Sequence, residues 1–187
     1  MIRWRGEPVV IVTQRLLLDT LDTSEAEEIL KWANNPEVVR DFQFFTEGLS
    51  IEDESDYIRK MSDSPTDLLL GLFVDGEELI GTCGLHEIDL NNGTARLGII
   101  IGKKEHWNKG YAHEAIRVLL NFAFGTMGLH KVYLNVFVTN KKGIHLYMTV
   151  GFRTEGTLQR EYKIRGEYVD MYRMAILNEQ YISQRGL

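Results

Sequence analysis

Between residues 95 and 124, an apolar strand, a short polar loop and a long amphipathic helix follow one another directly. The run Ile99-Ile100-Ile101 is too apolar to face water on either side, which predicts a buried strand. From Ala112 to Phe124, apolar residues recur at helical spacing and predict one buried helix face. A helix that follows a strand through a tight loop offers unpaired N–H groups to an anion. The segment therefore predicts an α/β fold with an anion site where the long helix begins.

The rest of the chain shows capped helices and short strands without a visible domain boundary. Helix starts are predicted at Asp22 and Ser50, because each precedes an acidic residue by three positions, the spacing of a capping box. A further short helix is predicted from Asn140 to Val150. Strands are predicted at residues 9–12, 16–18, 68–74, 79–90, 95–101 and 131–138, and on both sides of Arg165-Gly166. We therefore predict a single α/β (α+β) domain over residues 1–187 with a mixed sheet.

Composition limits the classes of protein to which the chain can belong. Its 187 residues suffice for one core, and its single cysteine, Cys83, cannot form an intrachain disulfide. No apolar run is as long as a secretion signal or a membrane span, so we expect a soluble, cytoplasmic protein without a membrane partner. The formal net charge of −6 argues against nucleic acid as a partner.

Charge is divided unevenly along the sequence. Residues 41–90 contain thirteen acidic and two basic side chains, whereas residues 103–165 contain eleven basic and four acidic ones. The first segment favours a cationic ligand and the second an anionic ligand. Solvated faces account for most of these charges when each is taken alone.

The loop before the long helix carries the most specific pattern. It reads His106-Trp107-Asn108-Lys109-Gly110-Tyr111-Ala112, in which Gly110 permits close backbone approach and Lys109 adds positive charge. This stretch resembles the pyrophosphate loop of the GNAT superfamily of N-acetyltransferases, Gln/Arg-x-x-Gly-x-Gly/Ala. The match holds at Gly110 and Ala112, whereas Trp107 replaces the first Gln or Arg.

A second stretch supports the resemblance. Residues 140–152 are similar to the signature Asn-x-x-small-x-x-Leu-Tyr-x-x-x-Gly-Phe of the same superfamily. Tyr147 follows Asn140 by seven residues, so both lie on one face of a helix. Three further stretches resemble the branch of ribosomal-protein N-terminal acetyltransferases and spermidine acetyltransferases: Thr13 to Leu18, Asn35 to Val38 and Gly166 to Asp170.

The resemblance implies a fold, a cosubstrate and site residues. The implied fold is a seven-stranded, mostly antiparallel sheet flanked by helices, with two central strands splayed into a V around the pantetheine arm of acetyl-CoA. Tyr147 is the implied general acid for the CoA thiolate, because a phenol stays protonated near neutral pH. The implied cofactor-binding residues are Ile99, Ile100, Ile101, Trp107, Asn108, Lys109, Gly110, Tyr111, Ala112 and Asn140.

The sequence identifies the general base, the group that deprotonates the acceptor, less clearly than the general acid. Arg96 stands where many relatives carry an acid. His86 and Glu87 on the preceding strand are the candidates, and only one should face the cleft because successive strand residues point to opposite faces. A water relay to Glu87, or no dedicated base, are the alternatives.

The histidines show no pattern typical of a metal site. His106, His113, His130 and His145 lack metal-ligand spacing with carboxylate or thiol partners. We therefore expect no catalytic metal.

Several functions stay open for the acceptor. The first is N-acetylation of a protein or peptide N-terminus, as in the ribosomal-protein branch. The alternative is a polyamine, another small amine or an amino sugar; the acidic segment supports it, but Gly84 stands where the spermidine branch carries an acid. A third, a CoA-binding module without catalysis, is disfavoured by Tyr147. We expect acetyl-CoA and an amine as partners, and a monomer or a homodimer.

Overall fold

The computed structural model describes residues 3–4, 7–40, 48–164 and 166–184. The strands are β1 (Arg3–Trp4), β2 (Glu7–Pro8), β3 (Ile11–Val12), β4 (Leu16–Thr20), β5 (Leu68–Val74), β6 (Glu78–Asp89), β7 (Thr94–Ile101), β8 (Lys131–Phe137), β9 (Arg153–Ile164) and β10 (Glu167–Leu177). The helices are α1 (Ala26–Ala33), α2 (Pro36–Val39), α3 (Ile51–Ser62), α4 (Tyr111–Asn121), α5 (Lys141–Val150) and α6 (Asn178–Gln184). Short 3-10 turns occupy Thr23–Glu25 and Lys104–His106, and a π-helical turn, Phe122–Thr126, follows α4.

Within the described residues, the main sheet has eight strands in the order β3-β4-β5-β6-β7-β8-β10-β9. Its neighbouring strands are antiparallel except for β7 and β8, which are parallel. The predicted mixed, mostly antiparallel sheet is confirmed, but the count of seven strands is wrong. The strand predicted at residues 9–12 shortens to Ile11–Val12 and pairs with β4 through a turn in which Thr13 N donates to Leu16 O at 2.8 Å.

Side-chain caps determine where the first helices begin. Asp22 and Ser50 both form the predicted capping boxes, with Glu25 and Asp53 as their reciprocal partners. Asn35 accepts a hydrogen bond from the amide of Glu37 and starts α2, a short helix that the sequence pattern does not predict. Such caps stabilise a helix end by about 1 kcal/mol each, so α3 holds a fixed start beside the sheet.

Helix α4 buries the apolar face that its sequence predicts. Ala115, Ile116, Leu119 and Leu120 are all fully buried. Burial of an Ile or Leu side chain contributes about 1.5–3 kcal/mol, so this face anchors α4 firmly against the sheet. In the part of the chain that the structure describes, no helix is long and apolar enough to cross a membrane.

Candidate active site

The parallel strands β7 and β8 separate in the middle of the sheet. They are paired only over residues 94–96 and 131–133. Beyond this point β7 continues to Ile101 beside β6, and β8 continues to Phe137 beside β10. In the described structure the facing edges of 97–101 and 134–137 therefore lack a strand partner. The predicted V is confirmed, and it leaves main-chain N–H and C=O groups available to an extended ligand.

A cavity of about 490 Å³ lies at this opening. Its wall includes residues 97–100 of β7 and Asn135 and Val136 of β8. Helices α1, α3 and α5 contribute further parts of the wall. The volume falls within the range of small-molecule sites, which are concave and largely apolar with a few polar groups.

Helix α4 begins at a loop that leaves its first amides without a capping side chain. Gly110 is the N-cap residue, with φ of +83°, and among the residues that the structure describes no side chain accepts from the helix amides there. Asn108 also lies in the left-handed region, with φ of +59°. Gly is favoured at such a position because it has no Cβ. The loop therefore turns sharply into α4 and fits the anion site predicted for residues 108–112.

Arg15, in the turn between β3 and β4, holds this loop in place. Its Nη1 donates to the main-chain carbonyl of Lys109 at 2.9 Å, and its Cζ lies 4.7 Å from the ring centroid of Tyr111. Its Nε donates to Glu114 Oε2 at 2.7 Å, while Thr13 Oγ1 donates to Glu114 Oε1 at 2.5 Å. The negative charge of Glu114, in the first turn of α4, is therefore compensated by the guanidinium group of Arg15. No spacing pattern indicates this role, because Lys109 lies 94 residues further along the chain.

The remaining residues predicted around the V divide between the cavity and the loop. In the described wall, Ile99 and Ile100 line the cavity, whereas Ile101 and residues 107–112 do not. Trp107 Nε1 donates to the main-chain carbonyl of Ile101 at 2.8 Å. Trp107 therefore ties the loop to the end of β7, which explains how Trp can replace the polar residue of the family pattern.

Helix α5 brings Asn140 and Tyr147 to the same cavity, as their seven-residue spacing predicts. Asn140 Oδ1 accepts from the amide of Gly143 at 2.8 Å, which leaves the side-chain NH₂ group as a donor. The ring of Tyr147 packs edge-on against Phe152 with centroids 6.0 Å apart. Burial raises the pKa of Tyr147 to about 12, so the phenol holds its proton at neutral pH.

Asn135 is a cavity residue that the sequence pattern does not identify. Its Oδ1 is buried and has no hydrogen-bond partner among the described residues. A buried acceptor without a donor costs about 1–3 kcal/mol. This oxygen is therefore available to accept a hydrogen bond from a ligand or a water molecule in the cavity.

The acidic segment of the sequence supplies three carboxyl groups to the cavity wall. Asp53 and Glu54 come from α3, and Asp67 precedes β5. Glu54 is 6% exposed, and burial raises its pKa to about 7, with no ion pair from the described residues opposing this rise. Tyr57, one turn further along α3, is 42% exposed, but partial burial of its hydroxyl group and the nearby carboxylates of Glu54 and Asp67 raise its pKa to about 12. This part of the wall therefore favours a cation.

An irregularity in β6 separates the two candidate bases. His86 lines the cavity, and its side chain is 12% exposed. Glu87 has φ of +52°, and the pairing of β6 with β7 shifts register after His86. Burial alone would raise the pKa of Glu87, but hydrogen bonds from Tyr133 at 2.7 Å and Arg96 at 2.9 Å outweigh it and lower the pKa. In the described wall, His86 faces the cavity and Glu87 does not.

A separate cluster near the start of β6 contains possible metal ligands. Donor atoms of Glu78, Glu105 and His106 lie within 4.8 Å of one another. The Nζ of Lys103 lies 3.0 Å from Oε1 of Glu78 and 3.0 Å from Oε1 of Glu28, so an ammonium group already balances the charge there. The expectation that the protein uses no catalytic metal stays a prediction.

An opened sheet beside exposed helix amides is the architecture expected of an N-acetyltransferase, and comparison with known proteins agrees. Residues 15–153, more than half of the chain, match the family model described as an acetyltransferase (GNAT) domain. The chain therefore belongs to the GNAT family, and it is an acyltransferase of the N-acetyltransferase type.

Individual N-acetyltransferases are similar to this chain in sequence and in structure. It is 42% identical over 108 residues to spermidine N(1)-acetyltransferase of Vibrio cholerae serotype O1, an alignment that covers 58% of this chain and 62% of that enzyme. It is 29% identical over 175 residues to the uncharacterized N-acetyltransferase p20 of Bacillus licheniformis, covering 91% and 97% of the two chains. The crystal structure of spermidine N-acetyltransferase from Vibrio cholerae in complex with CoA and spermine matches with a TM-score of 0.83 at 32% identity, covering 91% of this chain and 99% of that one.

Proposed function

We propose that this enzyme transfers the acetyl group of acetyl-CoA to a primary amine of a small polycation of the polyamine class. The observation that carries the proposal is the placement of Asp53, Glu54 and Asp67 in one cavity wall at the opening of the V. Glu54 is buried, and among the described residues no cation offsets its burial. A buried carboxyl group in this state gains from a cationic ligand, because paired and hydrogen-bonded charges tolerate burial far better than isolated ones.

The relatives support the polyamine alternative over the N-terminal acetylation that we put first from the sequence. The Vibrio cholerae enzyme is named for spermidine, and its crystal structure contains CoA and spermine. Gly84 lacks the acid of that branch, but Glu54 and Asp67 provide carboxyl groups in the same cavity wall. The missing acid is therefore no longer an argument against a polycationic acceptor.

Three features of the site fit acetyl-CoA. The unpaired edges of β7 and β8 offer main-chain partners to an extended arm, and Asn135 Oδ1 lacks a donor. The amides of residues 108–112 would hold the diphosphate, since no described side chain caps the start of α4. Asn140 would donate to the arm through its side-chain NH₂ group.

The residues around the cavity would divide the chemistry between them. Acetyl-CoA supplies the thioester carbonyl carbon that the amine attacks. A main-chain N–H of the splayed part of β7 would stabilise the negative charge that develops on the carbonyl oxygen. Tyr147 would donate its proton to the departing sulfur, because burial keeps the phenol protonated at neutral pH.

An acceptor panel at fixed acetyl-CoA tests the proposal by following thiol release. It contains spermidine, spermine, a monoamine of matched length, glucosamine and peptides that begin with alanine or serine. We expect kcat/KM for spermidine to exceed that of the monoamine at least roughly tenfold, because only the polyamine pairs its second charge with the wall. Faster turnover of the peptides than of both polyamines would contradict the proposal.

A variant pair on α3 connects this selectivity to the cavity wall. Glu54→Gln should raise KM for spermidine by about tenfold and leave KM for acetyl-CoA unchanged, since it removes one charge-assisted contact. Glu52→Gln is the matched control, because Glu52 is exposed on the same helix and does not line the described cavity. Equal effects of the two variants would show that general surface charge, not the cavity, attracts the polyamine.

A further inference from the structure

His86 and Asp67 form a hydrogen-bonded pair inside the cavity wall. His86 Nδ1 lies 3.0 Å from Asp67 Oδ1. The second oxygen of Asp67 accepts from the hydroxyl groups of Ser64 at 2.7 Å and Thr66 at 3.2 Å. Burial alone would raise the pKa of Asp67, but the hydrogen bonds from Ser64 and His86 outweigh it and lower the pKa. An ionised Asp67 accepts a hydrogen bond from the Nδ1–H group of His86, which leaves the other ring nitrogen, Nε2, with a free lone pair.

Two facing glycines make room for this ring nitrogen. Gly84 on β6 and Gly98 on β7 are directly paired across the strands. A Cβ atom at Gly98 would lie 3.1 Å from His86 Nε2, and one at Gly84 would lie 3.3 Å from it. The imidazole therefore lies against the strand pair where a side chain would otherwise be. Its Nε2 has no hydrogen-bond partner among the described residues, and Gly98 belongs to the splayed part of β7.

The groups around the ring favour its neutral form. Burial lowers the pKa of His86, and the charge of Arg96 lowers it further, against the opposing effect of Asp67. A neutral imidazole at the pH of the cell is ready to accept a proton. The charged groups that act on the ring are Asp67 ahead of β5, Glu87 on β6 and Arg96 on β7. The other titratable groups that line the cavity are Asp53, Glu54 and Tyr57 on α3, Cys83 on β6 and Tyr147 on α5.

We infer that His86 is the proton acceptor of the reaction, acting through Nε2, and that Asp67 is the residue that positions it. The inference rests on the proposed function, since it needs an amine acceptor in this cavity. The acceptor ammonium loses one proton to Nε2, and its nitrogen forms a bond to the thioester carbonyl carbon. The carbon–sulfur bond breaks and Tyr147 gives its proton to the sulfur. The nitrogen loses its second proton, which restores the phenol of Tyr147 through solvent, and His86 releases its own extra proton to water.

The pH dependence of kcat at saturating acceptor and acetyl-CoA tests this role. We expect wild-type kcat to rise with pH and level off once His86 is neutral. In His86→Gln, kcat should fall by about 100-fold or more and rise steadily to the highest pH measured, because no side chain takes up the proton. A His86→Gln enzyme with kcat within about twofold of wild type and the same acid-side midpoint would overturn the inference.

Asp67→Asn separates positioning from folding. Its kcat should fall by at least about tenfold, with the acid-side midpoint moved to lower pH, because the carboxylate no longer stabilises the imidazolium. The Kd for CoA, measured by calorimetry, should equal that of wild type. A loss of kcat without any movement of the midpoint would reduce Asp67 to a structural role and contradict its assignment.

The tautomer of His86 can be measured in the wild-type protein, without a substitution. Nitrogen-15 NMR of histidine-labelled protein should show the Nδ1-protonated tautomer for His86, with a titration midpoint equal to the acid-side midpoint of kcat/KM for the acceptor. The Nε2-protonated tautomer would overturn the inference even if every variant failed to fold. A wild-type enzyme inactive on the whole acceptor panel would instead contradict the proposed function, so the two failures are distinguishable.

Discussion

The guanidinium group of Arg15 donates a 2.9 Å hydrogen bond to the main-chain carbonyl of Lys109, directly before the N-cap residue of α4. This bond holds the carbonyl of Lys109 in place directly ahead of the amides that are predicted to bind an anion. It joins the β3–β4 turn at one end of the sheet to the helix that follows β7.

We expect Arg15→Ala to weaken binding of CoA by about tenfold, equivalent to roughly 1.4 kcal/mol, with a smaller effect on kcat. The physical reason is the loss of the bond to Lys109 together with an uncompensated Glu114 in the first turn of α4. Calorimetry with CoA measures the change. Arg117→Ala, which removes an exposed cation from the same helix, is the control; an equal loss in both variants would point to net charge rather than to the loop.

Tyr147→Phe should lower kcat by at least about tenfold while KM for acetyl-CoA and the Kd for CoA stay within about twofold, as expected for loss of a proton donor. The phenyl ring keeps the contact with Phe152, so folding should be preserved. Steady-state kinetics measure kcat and KM, and calorimetry measures the Kd for CoA. Tyr168→Phe, at an exposed position on β10, is the matched control and should behave like wild type. Unchanged turnover in Tyr147→Phe would remove the phenol from the chemistry.

Glu54 should make stability depend on pH in a defined direction. Its pKa rises from an ordinary 4.5 to about 7 in the folded protein, so the folded state binds this proton more tightly than the unfolded state. The side chain therefore destabilises the fold as pH rises from about 4.5 to 7, and the full cost, on the order of 3 kcal/mol, is present above that interval. At lower pH the cost disappears.

Urea unfolding of Glu54→Gln and wild type at two pH values measures this cost. The variant should be more stable by about 3 kcal/mol near pH 8 and by less than about 1 kcal/mol near pH 5. Glu52→Gln should follow wild type at both values. The same gain at both values would mean that ionisation of Glu54 is not its source.

Local sequence signals identified the elements whose structure is set by nearby residues. The capping box at Ser50 places the start of α3 correctly, and the box at Asp22 begins the 3-10 turn that leads into α1, because each box involves only four residues. Asn140 and Tyr147 reach one cavity because seven residues make two helical turns. The strand predicted at residues 9–12 is present as the shorter β3, and it is the eighth strand of a sheet for which the family resemblance implied seven.

Residues that meet only through the fold could not be predicted in this way. Asp67 lies 19 residues from His86, and Arg15 lies 94 residues from Lys109, so no spacing rule connects them. Strand alternation correctly implied that only one of His86 and Glu87 faces the cleft. It could not reveal the shift in register after His86, which commits Glu87 to other partners.

Gly102, directly after β7, should be required for the packing of Trp32, whose side chain lines the cavity. A Cβ atom there would lie 2.1 Å from Cδ2 of Trp32, whose indole is buried. We expect Gly102→Ala to destabilise the protein by about 1–3 kcal/mol, as overpacked core positions do, measured by urea unfolding. Gly125→Ala is the control, because a Cβ there meets no atom within 4 Å. Equal stability of the two variants would show that Trp32 moves aside at no cost.

The short junction of β7 with β8, three residue pairs ending at Arg96 and Tyr133, also sets the spacing of the proposed chemistry. His86 belongs to the strands on one side of this junction, whereas Tyr147 follows the strand on the other. The angle at which the two strands part therefore governs the span between proton acceptor and proton donor. Substitutions at the narrow end could change that span, and with it the size of amine that reacts, without altering either residue.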